Sequence, residues 1–584
     1  MKPAAHLHKL IVCLIVASAA VAHAALQVST CSDCLRARYW NVPPDGWATG
    51  TLTEFPETAR LRERRPVDLG IAFSGGGTRS ATATLGELRG LAQNGWLDRV
   101  RYITAVSGGA WAAVPFTFSK QERQVLLGRF DPPGRLVYKQ VTDEPSGSLA
   151  AAVVNSSFAG PGFREAVGQI GQSLVSSAFA EYQDDLKGLL GKLGGGARSR
   201  TYARLLDTTF IEPLVPGGSG RFFAWDTETI GEALALNPTL SYADFLAAGS
   251  DDRPFLIVGA SMVATHPNYD YPRLIPVEYT PLYAGVRQRF GRFGGTYIWS
   301  WAYGSSSLET PANGIVDVRR PASEPPFSLA DVVASTGAAP QLFLLLGGPA
   351  PRAAAALQAA AGVFPSFRHA VVREGRASVA TETLPHGDGG FTDNLGLMPL
   401  LARHVGNIIV FVNTKSEFDE NKDIEEFFRP VRDQTPEGDR SMNHVFDESR
   451  YHELVAGFRD RLSRGQALVY CGRNWHVGSN EFYNISSYDG LNICWVYNHA
   501  ATRWEDELPP DVRALLGETG ENDTLGSFKN FPWYETFGQN KPSAIKLTTA
   551  QVNLLANLTS WSVTNEESIR VITEGLSVVS PPRP

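Results

Sequence analysis

Apolar residues in this chain fall into short continuous runs and into helix-spaced stripes. The two kinds alternate most clearly between residues 67 and 111. Val67 to Phe73 is a short apolar run that predicts a buried strand. It breaks into Gly75-Gly-Gly77. Leu85, Leu88, Leu91 and Ala92 then recur at helical spacing, so a helix is predicted over 80–94, with Gly95 to end it. Tyr102 to Val106 predicts a second strand, which runs into Ser107-Gly-Gly109. A strand, glycine loop, helix, strand and serine turn in that order put the loop and the serine at one sheet edge. That edge is where open α/β sheets bind ligands.

Similar punctuation recurs downstream. Pro385-His-Gly-Asp388-Gly-Gly-Phe-Thr-Asp-Asn394 is turn-rich, and is followed by a predicted helix over 395–403 and a buried strand over 408–413. Asp393 and Asn394 read as helix caps, and His386 as a loop histidine. Between Asp131 and Arg200 the composition shifts to Gly, Ala, Ser and charged residues. Val167, Ile170, Leu174 and Ala178, then Leu186, Leu189 and Leu190, mark interrupted amphipathic helices that Gly194-Gly-Gly196 ends. They read as surface helices or as a mobile cap over the serine turn. Thr548 and Gln551 are spaced as a capping box at the start of a helix.

The residue types suggest chemistry. Consecutive glycines let backbone approach a ligand closely, and their N–H groups can converge on an anionic oxygen. A serine at a sharp strand-to-helix turn is a nucleophile elbow, here spelled Ala105-Val-Ser107-Gly-Gly109. A serine hydroxyl needs a base within hydrogen-bond reach, and an aspartate held by glycines can supply one.

Gly75-Gly-Gly-Thr-Arg79, Ser107-Gly-Gly-Ala-Trp111 and Asp388-Gly-Gly390 together resemble the patatin-like and cytosolic phospholipase A2/lysophospholipase acyl hydrolases, the second group more closely. Ala105 stands where that family usually has Gly. Tyr202-Ala-Arg-Leu-Leu206, Val277-Glu-Tyr-Thr-Pro281 and Leu547 to Leu555 are similar to phrases of the same family, so the resemblance spans about 66–565. It implies an α/β three-layer sandwich with a central, mostly parallel sheet and a cap or lid insertion. It implies Ser107 as nucleophile and Asp388 as general base with no histidine between them. Gly76, Gly77 and Gly108 would form the oxyanion hole, and Arg79 would hold a substrate phosphate or order the loop. The implied substrate is a phospholipid or lysophospholipid at a membrane or micelle surface. No cofactor or metal is implied: no C2-type domain precedes the glycine loop, so calcium dependence is not carried over.

Other readings stay open. The chain order also allows a Ser-Asp-His triad of Ser107, Asp388 and one of His404, His444 or His452. A catalytically silent lipid-binding homologue would keep the fold alone.

Composition sets the frame. A chain of 584 residues with 43% hydrophobic and 19% charged residues can bury a large core. The division expected is a lead-in at 25–65, a catalytic domain at 66–420 with an insertion at 131–340, and a C-terminal part at 421–584. A net charge of −7 argues against nucleic acid as partner. Lys2, Lys9, the apolar run Leu10 to Ala22 and Ala22-His-Ala24 read as a cleavable signal peptide over 1–24, whose removal takes the charge to −9. Export to the periplasm, the outside or a secretory compartment follows. Residues Gln341 to Val363 are apolar but too broken by Gly, Pro and Arg to span a bilayer. Cys31, Cys34, Cys471 and Cys494 remain after cleavage; the pairing expected is Cys471–Cys494, with a local bridge in Cys31-Ser-Asp-Cys34.

Overall fold

The computed structural model describes residues 34–41, 55–155, 200–249, 253–264, 273–290, 293–307, 314–319, 325–339, 341–342, 364–373, 376–420, 424–430, 440–520, 524–534 and 546–576. The expected signal peptide and the amphipathic helices expected within 167–190 lie outside them, so the cap does too.

The predicted unit around the serine is present. A glycine-loop strand (Gly70–Phe73) leads into a helix (Gly77–Gln93), and an elbow strand (Tyr102–Val106) leads into a second helix (Gly108–Phe118). Five strands form a parallel ladder: Phe255–Ala264, the elbow strand, the glycine-loop strand, Asn407–Val412 and Tyr488–Tyr497. The middle three are buried along their whole length, which is why their sequences are continuous apolar runs and not alternating ones. Ile71 and Phe73 pack into one core cluster and Ala72 into another, so the sheet carries apolar packing on both faces.

The expectation of a mostly parallel sheet is corrected. Among the described residues the sheet has 14 strands and is mostly antiparallel, with its parallel pairing confined to those five strands. The reason is connection length. Strands Arg273–Tyr279, Tyr283–Phe290 and Phe293–Trp299 follow one another across a few residues, as do Ser366–Arg373 and Arg376–Asp388. Such short links permit only antiparallel pairing, whereas a parallel pair needs a long crossover. Residues 34–41, expected to be irregular, form a strand that pairs with Ile315–Arg319 and Phe293–Trp299. Its alternation buries Ala37 and Tyr39.

Helix Thr549–Thr564 starts with the capping box read from Thr548 and Gln551. It docks on helix Gly77–Gln93 at very short range. A Cβ on Gly86 would stand 2.1 Å from Thr559 Oγ1 and 2.2 Å from the Ala556 carbonyl. Ser560 Oγ instead donates to the Gly86 carbonyl at 2.7 Å. Near the other end of the sheet, Cys471 and Cys494 sit opposite each other on antiparallel strands and form the expected disulfide. Cys31 of the other expected bridge lies outside the described residues.

Candidate active site

The strand Phe255–Ala264 aligns the site. One of its edges pairs with Arg273–Tyr279. Its other edge is shared by two strands that meet end to end. The elbow strand runs parallel to its first half, with Val106 opposite Gly259. The strand Arg376–Asp388 runs antiparallel to its second half, with Asp388 opposite Ala260. Ser107 and Asp388 therefore emerge beside consecutive residues of one strand. Ser107 Oγ donates to Asp388 Oδ2 at 2.8 Å across a separation of 281 residues.

Both groups are held firmly. Ser107 has φ 49° and ψ −124°, a positive-φ conformation rare outside glycine, which turns its side chain out of the strand. Its amide donates to Thr336 Oγ1 at 2.8 Å, and that hydroxyl donates to the Gly259 carbonyl at 2.5 Å. Asp388 Oδ1 accepts from the Gly390 amide at 2.8 Å. Ser261 Oγ donates to the Asp388 carbonyl at 2.9 Å. Burial pushes the Asp388 carboxyl up from its ordinary 3.8 to about 7, against the pull of the Gly390 amide and the Ser107 hydroxyl. That value makes the group an anion at mildly alkaline pH with real proton affinity.

The glycine loop crosses the elbow. Helix Gly77–Gln93 begins at Gly77, with Gly76 before it at φ 145° and Gly77 at φ 62°. Helix Gly108–Phe118 begins right after the serine. A Cβ on Gly108 would stand 1.9 Å from the Gly77 carbonyl, so the two helix starts touch through glycine alone. Amides in a first helical turn have no carbonyl partner within their own helix and carry the positive end of its dipole. Gly77 and Gly108 thus stand at the two touching helix starts, with Gly76 just before the first of them.

Arg79 is buried and turned to protein. Its guanidinium donates to the carbonyls of Tyr534 at 2.6 Å and Asn413 at 3.1 Å. It lies under Gly76, where a Cβ would meet it at 2.4 Å. It straps the glycine loop to the end of strand Asn407–Val412 and to a segment 455 residues away in sequence. Asn413 also donates its amide to Ser74 Oγ at 2.7 Å.

Among the described residues, none of the four histidines nearest a triad reading is hydrogen-bonded to Ser107 or Asp388. His386 is fully buried; its ring bonds to the Tyr303 hydroxyl at 2.7 Å and the Leu384 carbonyl at 2.9 Å. Burial pushes its pKa down to about 3. His404 meets Ser486 Oγ at 2.9 Å and stacks on Tyr488, and His444 meets the Phe446 carbonyl at 3.1 Å. His452 is exposed.

Sequence reasoning misses Thr336, Ser261 and Asn394. Thr336 touches Ser107 across 229 residues, which no local pattern announces. Asn394 stands close to Asp388 in the sequence, where the pattern marks it only as a cap. Asp393 does the capping, accepting from the Met398 amide at 2.8 Å at the start of helix Met398–Ala402. Asn394 turns to the glycine loop, and its carbonyl accepts from the Gly75 amide at 2.9 Å. Trp111, one helical turn after the serine, stacks on Phe210 at 5.2 Å, and the Tyr202 hydroxyl donates to the Gly337 carbonyl, next to Thr336, at 2.7 Å.

No protein-family model matches this chain, and no curated protein does. Among solved structures, the chain is similar to human GIVD cytosolic phospholipase A2, with TM-score 0.42 and 13% identity over 89% of this chain and 65% of that one. It is also similar to the same human protein in complex with methyl gamma-linolenyl fluorophosphonate, with TM-score 0.37 and 14% identity over 89% of this chain and 64% of that one. The chain therefore spans less than two thirds of the length of these structures.

Proposed function

We propose that this protein is a serine acyl-ester hydrolase of lipids, with Ser107 as nucleophile and Asp388 as its general base. The observation that carries the reading is the 2.8 Å hydrogen bond from Ser107 Oγ to Asp388 Oδ2, with no imidazole between them. Asp388 takes the hydroxyl proton as Ser107 Oγ attacks the ester carbonyl. The carbonyl oxygen becomes an anion facing the Gly76, Gly77 and Gly108 amides. Collapse of the tetrahedral centre returns the proton to the leaving alcohol and leaves an acyl-serine. Water, deprotonated by the same carboxylate, then releases the fatty acid. The burial of both groups strengthens each of these interactions by excluding solvent.

The substrate class rests on the three motifs around Gly75, Ser107 and Asp388, which resemble those of phospholipases and lysophospholipases. In this reading the fold is that family's three-layer hydrolase. The Cys471–Cys494 disulfide suits the oxidising compartment that a leader over 1–24 would deliver the chain to.

The test is Ser107→Ala against phospholipid and lysophospholipid substrates, alongside labelling of the wild type by a fluorophosphonate. Loss of activity by about 10³ or more, with label confined to Ser107, is expected. Hydrolysis by the alanine variant near the wild-type rate overturns the reading.

A further inference from the structure

A phospholipid carries an anionic phosphate close to its acyl ester. Arg79, which the glycine-loop motif offers for that phosphate, is committed to the Tyr534 and Asn413 carbonyls. Two other arginines, Arg200 and Arg368, border a cavity of about 270 Å³ whose wall also includes Tyr303, Phe327, Phe364 and Phe367. Asp331 is the single acid on that wall. Its Oδ2 is engaged by its own helix cap, accepting from the Ser328 amide at 2.8 Å and the Ser328 hydroxyl at 2.9 Å. The wall thus sets two cations against one anion.

Three observations bear on what the cavity holds. The first is the state of Arg200. Its Nη1 lies 3.3 Å from Asp331 Oδ2 and donates to the Pro326 carbonyl at 3.0 Å. A guanidinium has five N–H donors in a planar fork, and contacts through one nitrogen do not exhaust it. Its backbone is left-handed, with φ 67° and ψ 32°. That conformation is uncommon for a long side chain, and folds keep such strain where the aim of a side chain matters.

The second observation is distance. Helix Leu329–Thr336 runs from Asp331 on the cavity wall to Thr336, which accepts the Ser107 amide at 2.8 Å. At about 1.5 Å per residue, that path is about 7.5 Å long. On another side the Pro365 carbonyl, also on the wall, accepts the His386 amide at 2.9 Å. His386 precedes Asp388 by two residues on one strand, about 6.6 Å. Both paths bring the cavity within about 10 Å of the reacting pair, the reach of one glycerol unit between an acyl ester and its phosphate.

The third observation is size and lining. At about 30 Å³ for each water-sized group, the cavity has room for about nine such groups. A phosphate with a small head group fits, and a long acyl chain does not. Phe327 packs edge-on against Phe367 at 5.0 Å and against Tyr303 at 5.1 Å. Against such an apolar wall a guanidinium–phosphate pair is stronger than in open solvent.

We propose that this cavity is a head-group subsite, in which Arg200 and Arg368 hold the phosphate of the lipid substrate while its ester lies at Ser107. The inference rests on the Ser107–Asp388 reading and deepens it.

The test uses two soluble substrates with the same short acyl chain, a lysophosphatidylcholine and a monoacylglycerol. They differ in the phosphate head group alone. The readout is the ratio of kcat/KM for the first over the second, in wild type, Arg200→Gln and Arg368→Gln. Each variant should lower that ratio by about tenfold or more, through KM for the phosphate-bearing ester. Loss of a merely structural arginine would lower both activities together and leave the ratio unchanged. A ratio within about threefold of wild type in both variants therefore overturns the inference. A measurement on the wild type decides if the variants do not fold. Glycerophosphocholine should compete with the monoacylglycerol and glycerol should not. Absence of that competition, or competition by inorganic phosphate alone, overturns the head-group assignment. Inactive Ser107→Ala beside an unchanged ratio removes only this inference, while active Ser107→Ala removes the parent reading as well.

Discussion

Replacing Asp388 with asparagine should destroy activity and stabilise the protein, and the second effect should depend on pH. The change keeps nearly the same shape. Oδ1 still accepts from the Gly390 amide, and the new Nδ2 can donate to Ser107 Oγ across the same 2.8 Å. What disappears is a buried anion. Its folded carboxyl sits at about 7 against an ordinary 3.8, about three powers of ten in proton affinity. At about 1.36 kcal/mol for each power, ionised Asp388 destabilises the fold by about 4 kcal/mol. The sign follows from the raised value. Below about pH 4 the group is protonated in both the folded and the unfolded chain and contributes no penalty. As pH rises from about 4 to about 7 the unfolded chain ionises first, and the wild type loses stability. Above about 7 the penalty is complete. The carboxamide of Asp388→Asn does not titrate, so the gap between variant and wild type should be near zero at about pH 4 and reach several kcal/mol at about pH 8. Urea unfolding of both proteins at those two pH values measures it, and the same samples should show a loss of hydrolysis of about 10³ or more. A stability difference equal at both pH values, or an Asp388→Asn enzyme within about tenfold of wild type, would refute the reasoning.

The wild-type kcat/KM should rise about tenfold per pH unit up to about 7 and then level, since only the ionised carboxylate accepts the serine proton; a midpoint near the ordinary 3.8 would contradict the burial of Asp388. His404→Gln, His444→Gln and His452→Gln should each keep kcat within about tenfold, or about 1.4 kcal/mol of barrier, and one folded variant as inactive as Ser107→Ala would place the protein among triad enzymes. Reducing Cys471–Cys494 should lower stability by about 2–5 kcal/mol, read as a shift in the melt with and without reductant, and an unchanged melt would show that the bridge does not support the fold.

The parts of the site that a sequence exposes are those built from contiguous residues. The glycine-loop strand, the helix after it, the elbow strand and the turn at Asp388 each carry their signal locally, in an apolar run, a 3.6-residue stripe or a glycine cluster. The disulfide is legible because its two cysteines lie 23 residues apart on neighbouring strands. The antiparallel part of the sheet is not. Several of its strands pair with their sequence neighbours across short turns, but residues 34–41 and the strand Arg376–Asp388 also pair with strands far away along the chain, which no window contains. Extending the parallel pattern of the serine unit to the whole sheet is therefore the natural error. Arg79 shows the same limit at one residue. Its motif suggests a phosphate ligand or a loop clamp, but its two carbonyl partners, at Asn413 and Tyr534, follow only from the folded chain.

The strand Phe255–Ala264 acts as a ruler with two adjacent graduations, Gly259 for the elbow and Ala260 for the acid. Because both reacting residues are indexed to one short piece of backbone, the lengths of chain between them carry no geometric information. Loops before and after this strand can lengthen, shorten or be exchanged while the nucleophile and base keep their spacing. A single residue inserted between Gly259 and Ala260 would do what a whole inserted segment elsewhere would not. It would move Asp388 along the ruler by about 3.3 Å and turn it to the opposite face. Evolution or a protein engineer can rebuild the surroundings of the serine freely, provided that the 10 residues of this strand in the middle of the sheet keep their count.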